Sequence, residues 1–263
     1  MDLQLEGKVA IVTGGSKGIG KVIARELANE GVDVVICARN LETLESSAQE
    51  LSAETGRIVV PIRADMTNTE DVNQMVDETI ARFGRIDILV NNAAMVGGQV
   101  AANLSDATEE DLMGDLDTKV VGYFRTIKAV VPHMQDQKWG RIISIGGVSA
   151  RQATFYGLRN AAIIHMTKTL SDQLGPHGIT LNVVHPGSTR TDSIAEVVAT
   201  RAKAQGVTVE ELDKRITQNI AIRRVIKPEE LAYLVAFLAS PKAECVTGES
   251  IAAGGGAIGA VFP

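Results

Sequence analysis

The chain predicts an α/β fold, a single domain built on a doubly wound parallel sheet with helices on both faces. Three observations carry that expectation. Short apolar runs alternate with helix-patterned stretches from end to end, and such alternation implies parallel strands joined by crossover helices. A glycine-rich turn follows the first apolar run directly. At 263 residues and 45% hydrophobic content, the chain is long enough to bury one full core undivided.

Taken in order, Val9-Ala10-Ile11-Val12 predicts a buried strand, and the glycine turn leads into a helix over 18–30. A strand at 32–37, a polar helix at 41–54 and a strand at 58–62 follow. The helix at 69–83 places Val72, Met75, Val76, Ile80 and Phe83 on one face, the spacing of a buried stripe. A strand at 86–90, helices at 106–114 and 116–137, a strand at 141–145, a helix at 156–174 and a strand at 180–184 continue the pattern. From 188 to 222 the sequence turns polar and helix-prone around Gly206. It is too long for a routine loop and predicts a helical flap beside a ligand site. Its apolar residues Ile194, Val197, Val198, Val207, Leu212, Ile216 and Ile220 suit an apolar ligand or plain helix packing equally. Pro228 opens a short helix to 238, and 249–253 predicts a last strand.

Composition excludes several classes of function. A formal net charge of −6 argues against a phosphate-tracking nucleic-acid binder or a protein docked on an anionic membrane. Cys37 and Cys245 lie far apart without metal spacing, which predicts unpaired thiols in a reducing compartment. The acidic N-terminus lacks the profile of a signal peptide, and no apolar run approaches the ~20 residues of a membrane helix. These readings point to a cytoplasmic protein with no metal site. The four histidines show no metal spacing, and His185, beside Pro186, is the one expected to approach a ligand.

A strand running into Gly14-x-x-x-Gly18-x-Gly20 and then a helix is a setting for a diphosphate. Glycine permits a tight turn and close backbone approach, and the helix N-terminus offers free N–H groups. The candidate contacts are Gly14, Ser16, Lys17, Gly18, Ile19 and Gly20. The end of the second strand reads Cys37-Ala38-Arg39, with no carboxylate to receive a ribose 2′-hydroxyl. Arg39 suits a 2′-phosphate instead, and Lys17 adds a second cation. NADP is therefore expected over NAD.

Thr13 to Gly20, Asp65, Asn91-Asn92-Ala93-Ala94 and Pro186-Gly187-Ser188-Thr189 occur in this order. Their arrangement resembles the short-chain dehydrogenase/reductase family across essentially the whole chain. The resemblance implies a Rossmann fold and oxidoreductase activity on a small carbonyl or alcohol. It implies that Asp65 and Met66 flank the adenine, that Asn92 supports the strand beside the cofactor with Ala93 and Ala94, and that Pro186, Gly187 and Thr189 meet the nicotinamide end. Ala94 stands where the family usually has glycine.

The same resemblance makes the catalytic end anomalous. The family uses a tyrosine as proton donor, a lysine four residues on that lowers its pKa, a serine and an asparagine. Here the tyrosine position is Tyr156, the lysine position Asn160, the serine position Gly147 and the asparagine position Lys119. Three readings stay open. Lys119 and Asn160 have exchanged jobs, with Ser144 or Ser149 as the hydroxyl; or the pocket performs non-redox chemistry on a carbonyl compound (hydration, isomerisation or carbon–carbon cleavage) through Lys119 with Tyr156 or Tyr123; or the protein binds NADP without catalysis. Arg151 and Arg159 are candidates to attract an acidic substrate. The family further implies a homo-oligomer, tetramer or dimer, paired through the helices at 116–137 and 156–174, and the small apolar segment 254–263 is expected to tuck into a neighbouring subunit.

Overall fold

A computed structural model describes residues 1–95, 98–151, 153–256 and 258, with backbone alone at 192, 193, 196 and 197. Seven parallel strands stand in the order β3-β2-β1-β4-β5-β6-β7. They are β1 (Val9–Thr13), β2 (Asp33–Ala38), β3 (Val59–Arg63), β4 (Ile88–Asn91), β5 (Gly140–Ile145), β6 (Ile179–Pro186) and β7 (Ser250–Ala253). The order reverses between β1 and β4, and in an open parallel sheet that reversal leaves a crevice at the strands' carboxyl ends where ligands bind.

Alternation along the strands decides which face each side chain serves. In β1, Ala10 and Val12 belong to one apolar cluster and Ile11 to the other. The first cluster is closed by α1 (Gly18–Asn29), α2 (Leu41–Thr55) and α9 (Pro228–Ala239), through Ile23, Leu27, Leu44, Leu231 and Val235. The second is closed by α3 (Thr69–Phe83) and α5 (Gly122–Gln137), through Val72, Met75, Val76, Ile127 and Val130. Each such fully buried aliphatic side chain contributes ~1.5–3 kcal/mol. The sheet is therefore anchored from both sides, and its carboxyl edge is held rigid.

The helices start and stop where side chains serve the free backbone groups. Asn40 and Asn68 accept from amides in the first turns of α2 and α3, and Gly56 and Gly84 end them in left-handed conformations. The helix expected at 106–114 begins later, as α4 (Glu109–Leu116), because Thr108 caps it by accepting from Asp111 N. It is not separated from α5: a wide π turn, Asp117–Val121, joins the two into one continuous rod. The flap expected at 188–222 contains two helices, α7 (Asp192–Ala204) and α8 (Val209–Thr217), with Gly206 in positive φ between them. The capping box of Thr208 and Glu211 starts α8. Beyond β7, Gly255 and Gly256 carbonyls accept from Ile222 and Ala221 amides at 3.2 and 2.7 Å. The expectation that 254–263 enters a neighbouring subunit falls mostly on residues outside those described, as does the side chain of Val197. Among the described residues no helix is long and apolar enough to cross a membrane, and no cluster could hold a metal ion.

Candidate active site

At the crevice the glycine turn leaves β1 with Gly14 and Gly18 both in positive φ. Thr13 Oγ1 accepts from the amides of Asn92 (2.9 Å) and Ala93 (3.0 Å), and Asn92 Nδ2 donates to the carbonyls of Thr13 (3.0 Å) and Gly14 (3.2 Å). These bonds sew the ends of β1 and β4 together beneath the turn. A Cβ at Gly20 would lie 2.4 Å from Asn92 Nδ2 and 2.4 Å from Gly14 O. The glycines are thus required by close packing as well as by the turn. Lys17 stands at the N-cap of α1 without a side-chain cap, leaving the first amides of α1 open to an anion. The residues present fit a dinucleotide diphosphate.

Arg39 is exposed at the carboxyl end of β2. It lies close enough to Asp65 to act on it electrostatically. Burial pushes the Asp65 carboxyl up, but the Thr67 amide and hydroxyl (2.9 and 2.8 Å), with Arg39 and Arg63, hold it below the usual range. Met66 is buried behind it. Arg39, Asp65 and Met66 therefore gather at one end of the crevice, beyond β2 and β3.

At the other end a cleft of about 340 Å³ is lined by Ile19, Asn92 and Ala94 from the side of the glycine turn and by Pro186, Gly187 and Thr189 at the end of β6 and just beyond it. Lys119, Gly147, Tyr156 and Arg159 line it too. Lys119 sits in the π turn, Tyr156, Arg159 and Asn160 in α6 (Phe155–Leu174). Lys119 Nζ donates to Asn160 Oδ1 at 2.8 Å and to Gly146 O at 3.0 Å. Its side chain is 3% exposed. Burial, with the positive charge of Arg159 added and Asp115 opposing, brings its amine down to about 7. Asn160 Nδ2 in turn donates to Ser149 Oγ (2.9 Å) and to Tyr156 O (3.1 Å). Lys119, Asn160 and Ser149 therefore form one chain of hydrogen bonds.

Of the two candidate hydroxyls, Ser149 is the one brought in. A Cβ at Gly147 would lie 3.4 Å from Ser149 Oγ, so that hydroxyl fills the space beside the position where a serine was expected. Ser144 points into the protein and is 2% exposed. Tyr123 Oη donates to Ile145 O at 3.1 Å, and burial drives its phenol upward, so it stays neutral. Arg159 does not stand ready for an acidic substrate: it is ion-paired to Asp115, donates to Met95 O at 2.8 Å, and stacks 4.4 Å over the Tyr156 ring. Asp115, forty-four residues away in sequence, carried no motif that would have singled it out.

His185 is held, not poised. Gly147 N–H donates to Nδ1 at 3.0 Å, and Nε2 lies 3.0 Å from Ser250 Oγ. Burial lowers its pKa from 6.5 to about 4. The unfolded chain therefore takes up a proton near pH 6.5 that the folded one refuses until about 4, so stability falls as the pH drops through that interval, by up to about 3 kcal/mol. Urea unfolding at pH 7 and pH 4.5 measures this loss, and the His185→Asn variant should lose less over the same range.

Residues 14–257 match the family described as enoyl-(acyl carrier protein) reductase. The chain is 33% identical over 256 residues to the NADPH-dependent reductase BacG of Bacillus subtilis, covering 95% of this chain and 98% of that one. It is 35% identical over 259 residues to the 3-oxoacyl-(acyl-carrier-protein) reductase FabG of Vibrio cholerae, covering 97% and 98%. The structure of L-sorbose reductase from Gluconobacter frateurii, complexed with NADPH and L-sorbose, superposes with a TM-score of 0.93 at 29% identity, covering 99% and 100%. With a family match spanning nearly its whole length, the chain belongs to the short-chain dehydrogenase/reductase family.

Proposed function

We propose that the protein is an NADP-dependent oxidoreductase that interconverts a small carbonyl compound and its alcohol, using a relay in which the lysine and asparagine have exchanged helices. The open amides of α1, Gly14, Ser16, Gly18, Ile19 and Gly20 would hold the diphosphate, Lys17 and Arg39 the 2′-phosphate, and Asp65 and Met66 the adenine. Asn92, Ala93, Ala94, Pro186, Gly187 and Thr189 would border the nicotinamide. When bound, that group supplies or accepts the hydride. The protein's own part is the proton. Tyr156 gives it to the substrate oxygen, and Lys119, which shares the wall of the cleft with it, carries the positive charge of the relay. Asn160 orients that ammonium through its Oδ1.

The observation that carries this reading is the 2.8 Å bond from Lys119 Nζ to Asn160 Oδ1 in the wall of the cleft. It supplies an amine from the neighbouring helix to the place where α6 lacks one. The rest of the cleft includes Met95, Ile194, Val198, Ile216 and Val225, which supports an apolar carbonyl substrate. Exposed Phe124 on α5 and Leu158 on α6 support a homo-oligomer, dimer or tetramer, closed over these helices.

The test is to titrate NADPH and follow its oxidation with a panel of diketones and quinones. Oxidation with at least one class is the expected result. Binding without oxidation across the panel removes the redox reading. The second reading, non-redox chemistry on a carbonyl compound, is favoured by the near-neutral amine of Lys119; product formed at unchanged NADPH absorbance would select it.

A further inference from the structure

Behind the relay lies a charge pair that the hydride chemistry itself does not call for. Arg159 and Asp115 are 1% and 2% exposed, and Arg159 Nη1 donates to Asp115 Oδ1. Two opposite charges removed from water at this depth are costly unless well paired. The pair spans α4 and α6, and the Arg159 Nη2 bond to Met95 O ties in the segment after β4. The guanidinium plane lies 4.4 Å from the Tyr156 ring centroid, an arrangement that fixes an aromatic ring by cation–π attraction. The ring is closely packed at Gly98 as well: a Cβ there would come within 2.9 Å of Tyr156 Cδ2 and 3.4 Å of Asp115 Oδ2. One residue before Asn160 and four before Lys119, Arg159 and Asp115 sit on the two segments that carry the relay.

We propose that Arg159 and Asp115 are the positioning pair of this site, clamping the Tyr156 ring and setting opposite charges beside Lys119, Asp115 four residues before it on the same rod and Arg159 next to the Asn160 that accepts from its Nζ. The inference rests on the relay reading given under the proposed function. Its physical basis is opposition of signs. A cation near Lys119 disfavours the ammonium and a carboxylate favours it, so each partner pulls the amine in its own direction. Among the described residues, the other titratable or charged groups around Lys119 are Tyr156 on α6, Tyr123 on α5, whose ring centroid is 5.9 Å from Nζ, Asp117 in the π turn, paired with Arg125, and His185 on β6, which Arg151 also influences. Tyr123 stays neutral and His185 uncharged above pH 5 or so, so neither competes with the pair for control of the amine near pH 7.

The test reads Lys119 directly and needs no substrate. Protein labelled with 13C at lysine Cε is titrated by NMR, free of nucleotide. The Lys119 resonance is identified as the one titrating near neutrality and absent from Lys119→Met. In Arg159→Met, which leaves Asp115 as the sole partner, the midpoint should rise by about one pH unit or more, and in Asp115→Asn it should fall. Arg159→Lys, which keeps the charge, should return the midpoint toward the native value. Thermal melts confirm that each variant is folded; if Arg159→Met does not fold, the Asp115→Asn and Arg159→Lys shifts still decide the matter. Midpoints unmoved in the folded variants, or moved in the same direction by both changes, overturn the proposal. Failure of the relay reading looks different: Lys119→Met then turns over carbonyl substrates as well as the native protein, whatever the titrations show.

Discussion

Lys119→Ala lowers the rate of NADPH-dependent carbonyl reduction by ~10²–10⁴-fold, the usual worth of one positioned acid–base group, while nucleotide affinity is little changed. The reason is geometric. The amine is buried in the cleft wall, bonded to Asn160 Oδ1 and Gly146 O, and no other lysine lines the cleft among the described residues. A companion result follows from the same bond. Asn160→Lys alone should be damaging, because it replaces an acceptor 2.8 Å from Nζ with a second ammonium in a buried site, where like charges are costly. The double change, Lys119→Asn with Asn160→Lys, should recover most of the loss, since it exchanges donor and acceptor across the same gap. Steady-state rates of the four proteins form a double-mutant cycle whose coupling is large if the two residues act as a unit. A Lys119→Ala variant at native rate, or a cycle with additive losses, would sink the exchanged-pair mechanism.

Gly20→Ala abolishes nucleotide binding and lowers the melting temperature. The added methyl would press to within 2.4 Å of both Asn92 Nδ2 and Gly14 O, and neither partner is a free side-chain end: Asn92 is already engaged by Thr13 and Gly14. Overpacking of this kind costs ~1–3 kcal/mol, and relief by backbone movement would displace the turn proposed to hold the diphosphate. Calorimetry with NADPH and with NADP should register heat for the native protein and none for the variant. Binding retained at native strength would show that the diphosphate does not lie on this turn.

How much of this was legible in sequence depends on the range of the signal. Val9 to Val12 followed by Gly14, Gly18 and Gly20 is a local pattern, and the structure places strand, turn and helix where that pattern puts them. The stripe of Val72, Met75 and Val76 on α3 is likewise local and packs on the sheet as expected. The pairing of Lys119 with Asn160 was readable only because both fall at positions whose usual occupants are known from the family. Strand alternation alone sets Ser144, three residues from Gly147, apart from the site, but placing Ser149 required the actual path of the chain after β5, and the Arg159–Asp115 pair required the packing of α4 against α6. Neither residue has a neighbour in sequence that announces its partner. The junction of α4 and α5 was invisible for another reason: a π turn leaves the periodicity on either side intact, and Gly122 at its end continues the rod instead of breaking it.

That junction governs more than shape. A π turn holds one residue beyond what an α-helix needs for the same advance, and each residue in an α-helix turns the chain by about 100°. Excising a single amino acid from the span Asp117–Val121 would remove that surplus, so α4 and α5 could keep their beds while the side chains inside the turn were re-aimed, carrying the Lys119 amine out of the cleft wall. The proposed chemistry is thus hostage to a deletion that alters no functional group, and, Lys119 itself apart, substitution in this stretch should be tolerated better than a change in its length.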